Sequence, residues 1–434
     1  MSDFMEKVKI GVMGAYRGTS MINYCRQADN AQVVAICDKW IEGLERQKAA
    51  LNDPKISYYT DFEDFIRHDM DAVVLANYAN QHAPFAIRAM KAGKHVFSEV
   101  LPVQTMKEAV ELIEAVEETG KIYAYGENYC YMPAPYEMRR LYREGRIGEF
   151  EYGEGEYIHN CEPIWPSITY GEEAHWRNNM YATYYCTHSL GPLIHITGLR
   201  PVSVIGLESL KTDRKRRVGS KSGLFGIEMV TLENGGIIRS THGSLYSDSI
   251  WYSVYGSHGR MESGREDAGS GVDRIYVNAD AYSGEYARRD VLSYAPAEKN
   301  APESAAFGHG GSDYYSMYNF VRRILGDTNA DTIDVYEAMD MFLPGLFAYR
   351  SILKGGVSVQ IPDLRDPAQR EKWRNDTACT DPAVALDSLL PTCSAGTPEI
   401  DGSVYEKMYR LWRRDFTADD GYTNAALTQG SKTE

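Results

Sequence analysis

The sequence lacks the features that would place it in a membrane or outside the cell. No apolar run approaches the roughly 20 residues that a helix needs to cross a bilayer. The polar start, residues 1–7, has no apolar signal-peptide core. The 7 cysteines form no C-x-x-C pair, which is typical of reduced thiols rather than of disulfides or a structural zinc site. We therefore predict a cytoplasmic protein.

Positive charge is also in deficit. Lys and Arg number 46 against 61 Asp and Glu, and the resulting net charge of −15 argues against nucleic-acid binding. Hydrophobic residues (43%) and charged residues (25%) are in ordinary proportion for a globular protein, and 434 residues suggest two domains. Tyrosine is abundant, with 32 residues against 12 Phe and 6 Trp. Its flat apolar ring and hydroxyl suit a sugar-binding cleft.

The chain begins with a strand, a glycine turn, a helix, a second strand and an acidic residue. Gly11 would allow a tight turn, and Gly14 would let the backbone approach a pyrophosphate at the helix N-terminus. Asp38 follows Gly18 by about 20 residues, where an acidic side chain binds ribose hydroxyls and repels a 2′-phosphate. This pattern predicts NAD rather than NADP. The spacing G-x-x-G-x-x-x-G departs from G-x-G-x-x-G, and the alternative is a βαβ turn that binds nothing.

Up to residue 128, apolar runs of strand length alternate with helical segments, which predicts a Rossmann-type doubly wound parallel sheet over 1–128. Polar residues follow two later strands, at the sheet edge where ligands bind. Thr105-x-x-Glu108 is a capping box that predicts a helix start. The predicted NAD-binding residues are Gly11, Gly14, Tyr16, Arg17, Gly18, Asp38, Asn77, His82 and Glu99.

Residues 129–365 have a different pattern of apolar residues. Short alternating runs separated by glycine and charged turns predict a largely antiparallel open sheet, flanked by helices that include 312–325 and 332–353. Residues 211–221 are predicted to form a basic, mobile turn. Residues 366–434 form an extension with one predicted helix, 403–414, and a disordered end over roughly the last dozen residues.

Several motifs together resemble known families. The glycine turn, Asp38, Asn77, His82, Gly93-Lys94-His95-Val96 and Glu99, in this order, resemble the Gfo/Idh/MocA oxidoreductases. The later part is similar to glycoside hydrolase family 109, a branch of NAD-dependent glycosidases, through Trp176-Arg177, Tyr185-Cys186-Thr187-His188-Ser189-Leu190-Gly191-Pro192, His309-Gly310-Gly311-Ser312-Asp313, Asp334-Val335-Tyr336 and 357–363. The resemblance covers about residues 7–365 and leaves the extension without an account.

One departure from the first family matters most. Its ordinary members carry Glu-Lys-Pro where this chain has Glu99-Val100-Leu101-Pro102, so the lysine that helps to deprotonate the oxidised hydroxyl is absent. The glycosidase branch also commonly lacks this lysine, so its loss favours that branch. The alternative is a non-catalytic relative.

Tyr185 and His188 are the predicted catalytic pair. Their i, i+3 spacing places both side chains on one side of a helix or tight turn. Histidine exchanges a proton near neutral pH, and tyrosine can do so when a neighbouring charge lowers its pKa. The family resemblance carries a Tyr-x-x-His pair onto these positions. The alternative is a core histidine with a tyrosine packed beside it.

Four further residues are predicted to bind substrate: Glu127, Trp176, Arg177 and His309. Each has a plainer alternative, namely a solvated loop acid, a surface Trp under an Arg stem, or a loop histidine. Three histidines without a partner at a useful spacing are predicted to be structural: His159, His175 and His195. Glu127, His188 and His309 could converge on a metal, but no local signature such as H-E-x-x-H is present, and we predict none.

The resemblance implies a sugar-acting enzyme with tightly held NAD. It implies cleavage of a glycosidic bond by transient oxidation at C3, deprotonation at C2, elimination, water addition and re-reduction. The first rival is an NAD-dependent sugar or cyclitol dehydrogenase, and the second is a non-enzymatic NAD-binding sensor. We also expect a homo-oligomer that pairs through the open face of the second sheet.

Overall fold

The structure is a computed structural model that describes residues 7–266, 273–281, 288–297, 301–304 and 307–418. The predicted disorder of the last dozen residues lies outside these described residues. Within the described ranges, no helix has both the length and the apolarity that crossing a bilayer requires. All seven cysteines are described, and each is a free thiol.

A six-stranded parallel sheet forms the first half of the fold. Its strands are β1 (Val8–Met13), β2 (Ala31–Cys37), β3 (Ser57–Tyr59), β4 (Ala72–Leu75), β5 (His95–Ser98) and β6 (Tyr123–Tyr125). They lie in the order β3-β2-β1-β4-β5-β6, with every neighbouring pair parallel. This confirms the predicted doubly wound sheet. The strand order reverses between β1 and β4, so the crevice beyond their carboxyl ends is the expected ligand site.

Five helices accompany this sheet: α1 (Thr19–Gln27), α2 (Ile41–Leu51), α3 (Phe62–Ile66), α4 (His82–Lys91) and α5 (Met106–Thr119). The predicted start of α5 is confirmed, since the Thr105 hydroxyl accepts a hydrogen bond from the Glu108 N–H at 3.1 Å. Gly120 ends the same helix with φ = +62°. Helices on both faces leave β4 buried along its whole length.

A nine-stranded sheet forms the second half. Its strands are β7 (Phe150–Ile158), β8 (Pro201–Glu208), β9 (Phe225–Leu232), β10 (Ile237–Gly243), β11 (Ser249–Gly256), β12 (Gly259–Ser263), β13 (Ile275–Asp280), β14 (Arg289–Tyr294) and β15 (Val359–Gln360). Their order is β14-β13-β12-β11-β7-β10-β9-β8-β15, antiparallel except for the β7–β10 pair. The largely antiparallel sheet is thus confirmed. The sequence-based prediction omitted β13 and β14. Strand β14 is mostly exposed and shows no alternation of buried and exposed positions, whereas β13 does alternate.

The described residues of the remainder contain nine α-helices: α6 (Pro133–Arg143), α7 (Trp165–Thr169), α8 (Cys186–Thr197), α9 (Asp213–Arg216), α10 (Ala301–Ser304), α11 (Ser312–Ile324), α12 (Val335–Leu353), α13 (Pro367–Trp373) and α14 (Gly402–Ala418). Helices α8 and α12 pack on one face of the second sheet. The approach of α8 is close, since a Cβ atom on Gly155 of β7 would lie 1.8 Å from the carbonyl oxygen of Ser189. Helix α8, which carries His188 and begins directly after Tyr185, is therefore buried with little freedom to shift.

The two halves share core side chains. Met317, Phe320 and Val321 of α11 are fully buried in the same cluster as Ile10 and Val12 of β1. The predicted boundary at residue 128 follows the end of β6, but α11 returns to the first sheet from the later part of the chain. The boundary remains a prediction, and the halves are joined by packing rather than by a flexible linker.

Residues 211–221 do not form the mobile turn that their charge predicted. They contain α9, and Lys215 is only 7% exposed. Its ammonium donates to the hydroxyl of Ser244 at 2.9 Å. The apolar stem of a lysine can be buried where its charged end finds a polar partner, and local charge density does not reveal this.

Candidate active site

One large cavity extends from the carboxyl edge of the first sheet into the second domain. Its volume is about 1430 Å³, more than the roughly 300–1,000 Å³ of a site for one small ligand. Its wall contains the predicted residues Gly14, Tyr16, Arg17, Asp38, Asn77, Glu99, Trp176, Arg177, Tyr185, His188 and His309. Four predicted residues lie outside the wall: Gly11, Gly18, His82 and Glu127. The cavity thus brings most of the predicted cofactor and substrate residues together.

The turn after β1 fits a pyrophosphate. Gly14 has φ = +108°, and a Cβ atom there would lie 2.4 Å from the carbonyl oxygen of Ala76. Gly18 caps the N-terminus of α1, where free backbone N–H groups and the helix dipole favour an anion. A Cβ atom on Gly18 would lie 2.3 Å from the Gly14 carbonyl oxygen, so this glycine keeps the turn compact.

Gly11 does not form the turn that we predicted for it. It lies inside β1, where a Cβ atom would be 2.3 Å from the sulfur of Met70 and 2.8 Å from the ring of Phe65. Its role is close packing beneath these side chains. The unusual glycine spacing is explained by this position, because only Gly14 and Gly18 belong to the turn.

Asp38 lies at the end of β2, in the cavity wall. Its carboxylate accepts hydrogen bonds from the backbone N–H groups of Ala15 at 2.6 Å and Trp40 at 2.9 Å. Burial raises the pKa of Asp38, and these two N–H groups oppose that rise. A carboxylate has about four acceptor positions, so the oriented group can still accept from ribose hydroxyls.

Arg17 joins the two halves of the molecule at the cavity. Its guanidinium donates to both carboxylate oxygens of Asp313, at 2.7 and 2.9 Å, and pairs with Glu99 at 2.7 Å. Asp313 also accepts from the side-chain amide of Asn128 at 2.9 Å. Burial opposes ionisation of Asp313, but Arg17 and His309 hold its pKa well below the usual range. Sequence reasoning missed Asp313 as a site residue because it is 296 positions from Arg17.

We predicted that Asn77 and His82 both bind the cofactor, and only Asn77 lies in the cavity wall. Asn77 lines the cavity, and among the described residues its buried side-chain oxygen has no hydrogen-bond partner, which leaves an acceptor for a ligand. His82 is 1% exposed, and its ring nitrogens lie 2.9 and 3.2 Å from the carbonyl oxygens of Leu101 and Asn77. Burial lowers the pKa of His82 to about 4. His82 therefore supports the loop and does not reach a cofactor.

His188 is held by Glu127. The Nδ1 atom of His188 lies 2.7 Å from Oε1 of Glu127, and Glu127 is fully buried. Because Nδ1 faces this carboxylate, Nε2 is the ring nitrogen that is left for a ligand. The predicted contact of Glu127 with a sugar hydroxyl does not fit this position behind the histidine. Rings of Tyr129 and Tyr157 flank His188 at 4.6 and 4.7 Å between centroids.

Tyr185 is held by Arg177. The guanidinium of Arg177 donates to the Tyr185 hydroxyl at 2.9 Å and lies 4.4 Å from the Trp176 ring centroid. Burial raises the pKa of Tyr185, although the charge of Arg177 opposes the rise. The phenol is therefore protonated at neutral pH and is suited to donate a proton. The Trp176 indole nitrogen is buried without a hydrogen-bond partner, which leaves a donor in the wall.

His309 lies in the wall beside a carboxylate. Its Nδ1 atom is 3.3 Å from Asp313, and its ring centroid is 6.2 Å from that of Tyr129. Of the three residues that could have converged on a metal, only Glu127 and His188 form a pair. Among the described residues, no group of three or more His, Cys, Asp or Glu side chains is arranged to hold a metal.

Two of the three histidines that were predicted to be structural, His159 and His175, line the cavity, whereas His195 does not. His195 is buried with Nδ1 2.6 Å from Glu337, and His175 accepts from the Arg177 N–H at 3.2 Å. His159 has a partner that the sequence analysis overlooked, since its Nδ1 lies 3.5 Å from the sulfur of Cys161, two residues on. Both His159 and Cys161 line the cavity.

A buried carboxyl lies behind the cavity wall. Glu228 is 0% exposed, 3.7 Å from Nδ1 of the wall residue His242. Burial raises the pKa of Glu228 from 4.5 to about 8 and lowers the pKa of His242 to about 3. At neutral pH both side chains are therefore uncharged in the folded protein.

We expect Glu228→Gln to stabilise the protein at alkaline pH. The unfolded carboxyl releases its proton near pH 4.5 and the folded one near 8, so stability falls as pH rises between these values. Glutamine has no proton to lose, and the Tm at pH 8 should exceed that of wild type by about 5 °C, with the gain vanishing towards pH 4.5. Scanning calorimetry across this range measures it, with the exposed Glu151→Gln as control. Equal Tm values at pH 8 would contradict the prediction.

Helix α14 closes one side of the cavity. Tyr405, Tyr409 and Trp412 contribute to the wall. Trp412 lies 6.3 Å from Trp40 after β2 and 5.3 Å from Tyr170 after α7, measured between ring centroids. Arg413 pairs with Glu42 of α2 at 3.0 Å. Part of the extension that had no sequence-based account therefore spans from the second domain to the first beside the predicted cofactor residues.

We expect removal of residues 402–434 to speed NAD release about tenfold or more, because the aromatic wall beside Asp38 is lost. Trp412→Ala tests the same contact with less risk to folding and should give a smaller effect in the same direction. Stopped-flow displacement of bound NAD by an excess of a fluorescent analogue measures the rate, and Lys407→Ala on the exposed face of α14 is the control. An unchanged rate in both variants would exclude this role for α14.

Two family models match the chain. Residues 8–127 match "Oxidoreductase family, NAD-binding Rossmann fold", and residues 265–375 match "Glycosyl hydrolase 109, C-terminal domain". The first half is thus an NAD-binding Rossmann domain of the Gfo/Idh/MocA oxidoreductases, and the turn at Gly14 fits that cofactor. The class of protein is an NAD-dependent member of this oxidoreductase fold.

Curated relatives define the family. "Glycosyl hydrolase family 109 protein 2" of Shewanella sp. (strain ANA-3) is 32% identical over 398 residues, which cover 83% of this chain and 86% of the relative. "Glycosyl hydrolase family 109 protein" of Solibacter usitatus is 27% identical over 410 residues, which cover 85% of this chain and 89% of the relative. The chain belongs to glycosyl hydrolase family 109.

Solved structures share the fold. Scyllo-inositol dehydrogenase from Lactobacillus casei, solved with NAD(H) and scyllo-inositol, has a TM-score of 0.64 at 17% identity and covers 83% of this chain and all of its own (100%). The aldose-aldose oxidoreductase from Caulobacter crescentus, solved with glycerol, has a TM-score of 0.65 at 18% identity. The match covers 82% of this chain and 100% of that structure. At these identities the likeness concerns the fold.

Proposed function

We propose that this protein is an NAD-dependent glycosidase that cleaves a sugar glycoside by transient oxidation. The proposed order is oxidation at C3, deprotonation at C2, elimination of the aglycone from C1, water addition and re-reduction at C3. Bound NAD supplies the acceptor and later the donor of the hydride, so the net reaction is hydrolysis. Such a cycle does not use the paired carboxylates of ordinary glycosidases.

His188 is assigned the removal of the C2 proton. Its Nδ1 atom is fixed by Glu127 at 2.7 Å, which leaves Nε2 to accept the proton. A ketone at C3 acidifies this proton because the resulting carbanion is delocalised as an enolate. Histidine can then return a proton during water addition, since its ordinary pKa lies near neutrality.

Tyr185 is assigned the donation of a proton to the departing oxygen at C1. Burial keeps its phenol protonated at neutral pH, and its 2.9 Å hydrogen bond from Arg177 stabilises the phenolate that remains. Trp176 and Arg177 offer a flat face and a cation in the same wall. Both are proposed to position the sugar, together with His309.

The observation that carries this proposal is the presence of two separately held proton-transfer groups in one cavity. Simple dehydrogenation needs one base beside the cofactor, whereas elimination and addition need a further proton donor. Val100 lies in the cavity wall next to Glu99, at the position where ordinary members of the superfamily carry the lysine. Its side chain cannot exchange a proton. A plain sugar dehydrogenase that uses His188 as its base is the alternative.

The test uses purified protein, first checked for bound NAD, and a panel of aryl glycosides in deuterated buffer without added NAD. Aglycone release without net NADH, together with deuterium at C2 of the released sugar, supports the glycosidase. Stoichiometric NADH that depends on added NAD, without aglycone, would show a dehydrogenase. Bound NAD with no reaction across the panel would favour the sensor and overturn the proposal.

We further propose that two copies pair through the outer face of the second sheet. Several large apolar side chains are exposed on its strands: Ile205 (37%), Leu207 (57%), Ile237 (40%) and Tyr255 (38%). Apolar side chains grouped on one face favour association. Light scattering should give the mass of a dimer or larger assembly, and Leu207→Glu should shift it toward the monomer. A monomeric wild type would contradict this.

A further inference from the structure

The cavity has a lobe that the proposed chemistry leaves unused. Its wall is formed by Trp165 of α7, Lys215 of α9, Ser222, and His242 and Ser244 at the end of β10. We call this the Lys215 lobe. It adjoins the proposed catalytic pair through Tyr157, whose ring is 4.7 Å from His188 and whose hydroxyl lies 3.0 Å from Nδ1 of His159. Cys161 contacts the same nitrogen of His159, and its charge raises the pKa of Lys215.

Lys215 presents a buried ammonium to this lobe. It is 7% exposed, its Nζ donates to the Ser244 hydroxyl at 2.9 Å, and it lies 5.4 Å from the Trp165 ring centroid. An ammonium has three N–H donors, and one is used by Ser244. The others are free to bind a ligand in the cavity.

No carboxylate neutralises this ammonium. Within the described chain, no Asp or Glu oxygen lies within 4.0 Å of Nζ of Lys215. The nearby acidic residue Glu162 is taken by Arg214 at 3.1 Å and Arg217 at 3.0 Å. Asp248 accepts from the backbone N–H of Asn160. Glu228, behind His242, is uncharged at neutral pH because burial raises its pKa to about 8.

The charge of the Cys161 thiol acts on Lys215 and raises its pKa, against the lowering by burial. Its sulfur contacts Nδ1 of His159 at 3.5 Å. Burial alone would raise the pKa of Cys161, but His159, Lys215 and Arg177 together lower it. His159, Lys215 and Arg177 therefore all favour the ionised form of this thiol.

Arg177 is also a basic side chain of the cavity wall. Its guanidinium, in the same cavity wall, bonds to the neutral hydroxyl of Tyr185, and within the described residues it too has no carboxylate within 4.0 Å. Arg17, by contrast, is neutralised by Glu99 and Asp313. The cavity wall therefore holds two basic side chains, Lys215 and Arg177, that no carboxylate of the described residues contacts within 4.0 Å, although the whole chain carries a net charge of −15.

A buried cation that no carboxylate contacts is costly, and a ligand anion relieves that cost. We propose that the Lys215 lobe binds an anionic substituent of the substrate, namely a carboxylate, sulfate or phosphate group carried by the sugar or the aglycone. The substrate class is thus an acidic glycoside. This rests on the proposed function only for the placement of the sugar ring beside Tyr185 and His188.

The test measures binding, so it does not depend on turnover. NAD-loaded protein is titrated calorimetrically with matched pairs: glucuronate against glucose, galacturonate against galactose, and the 6-phosphate and 6-sulfate of each hexose against the parent sugar. At least one anionic member should bind about 10- to 100-fold more tightly than its neutral partner, as expected for charge-assisted hydrogen bonds. The pair with the largest ratio identifies the anion as carboxylate, sulfate or phosphate.

Lys215→Met should abolish this preference, and Ser244→Ala, which keeps the charge but loses the orienting hydroxyl, should reduce it. Lys221→Met is the matched control, since Lys221 lies outside the cavity wall. No preference in any pair for wild type, or a preference that survives Lys215→Met in NAD-containing protein, would overturn the proposal. If the protein prefers the anionic sugars but releases no aglycone, only the proposed glycosidase activity is refuted. If it releases aglycone but shows no preference for anionic sugars, only the proposed anion site in the Lys215 lobe is refuted.

Discussion

Replacing His188 by glutamine is expected to lower kcat about 1,000-fold. Glutamine can still donate to Glu127, which lies 2.7 Å from Nδ1 in wild type, but it cannot exchange a proton. Binding of NAD should be retained because His188 is not among the predicted cofactor residues. The measurement is kcat on the active glycoside, together with deuterium incorporation at C2 by mass spectrometry.

The control for this variant is His258→Gln. His258 is 44% exposed in its side chain, lies in the turn between β11 and β12, and is absent from the cavity wall. Its replacement should change kcat by less than about twofold. The double variant Tyr185→Phe/His188→Ala should be inactive and scarcely worse than the more damaging single change, because groups that act as a unit are not additive. Turnover that survived in the double variant would refute the site.

Gly14→Ala is expected to remove most of the bound NAD. The new Cβ atom would lie 2.4 Å from the Ala76 carbonyl oxygen and 3.0 Å from the Asn77 nitrogen, at φ = +108°. The turn must shift to avoid this contact, and the backbone N–H groups that face the pyrophosphate shift with it. We expect affinity for NAD to fall about 100-fold, measured by titration of nucleotide-free protein and by the NAD content of the purified protein.

Gly93→Ala separates this effect from backbone strain. Gly93 also has a positive φ, +84°, but no atom lies within 4 Å of its Cβ position. Its replacement should cost stability, about 1 kcal/mol, and leave NAD affinity unchanged. If both variants lost NAD equally, the close approach at Gly14 would not be the cause.

The first half of the fold was predictable because its signals are local. The apolar run of β4, the capping box before α5 and Gly120 at its end each report on a few neighbouring residues. The resulting order of strands and helices fixes a parallel sheet and the edge at which ligands bind. The boundaries differ from the prediction by one or two residues, where helices and strands fray.

The site was predictable only in part, because its geometry depends on distant residues. Tyr185 and His188 were predicted from their spacing together with the family resemblance. Their contacts with Arg177 and Glu127 could not be predicted. Glu127 was predicted to bind the substrate. The local sequence does not distinguish an acidic residue in a loop from a buried one that supports a histidine. Arg17 and Asp313 are 296 positions apart, so a local sequence pattern cannot predict that they pair.

Helix α14 was predicted as a helix, yet its position was not. The amphipathic pattern shows that one face is buried but not what covers it. The contacts of Trp412 with Trp40 and Tyr170 are set by the packing of both halves. The same holds for Lys215, whose charge predicted exposure although its surroundings bury it.

The place of α14 in the chain also bears on how the protein is made. A ribosome releases the segments that carry Gly14, Asp38 and Tyr185 before it releases α14, and domains fold from the N-terminus during synthesis. The cleft that these segments form is therefore open to the surrounding solution while the nascent chain is still growing. Folding of α14, residues Gly402–Ala418, completes the wall afterwards. Loading with nucleotide can accordingly precede the folding of α14.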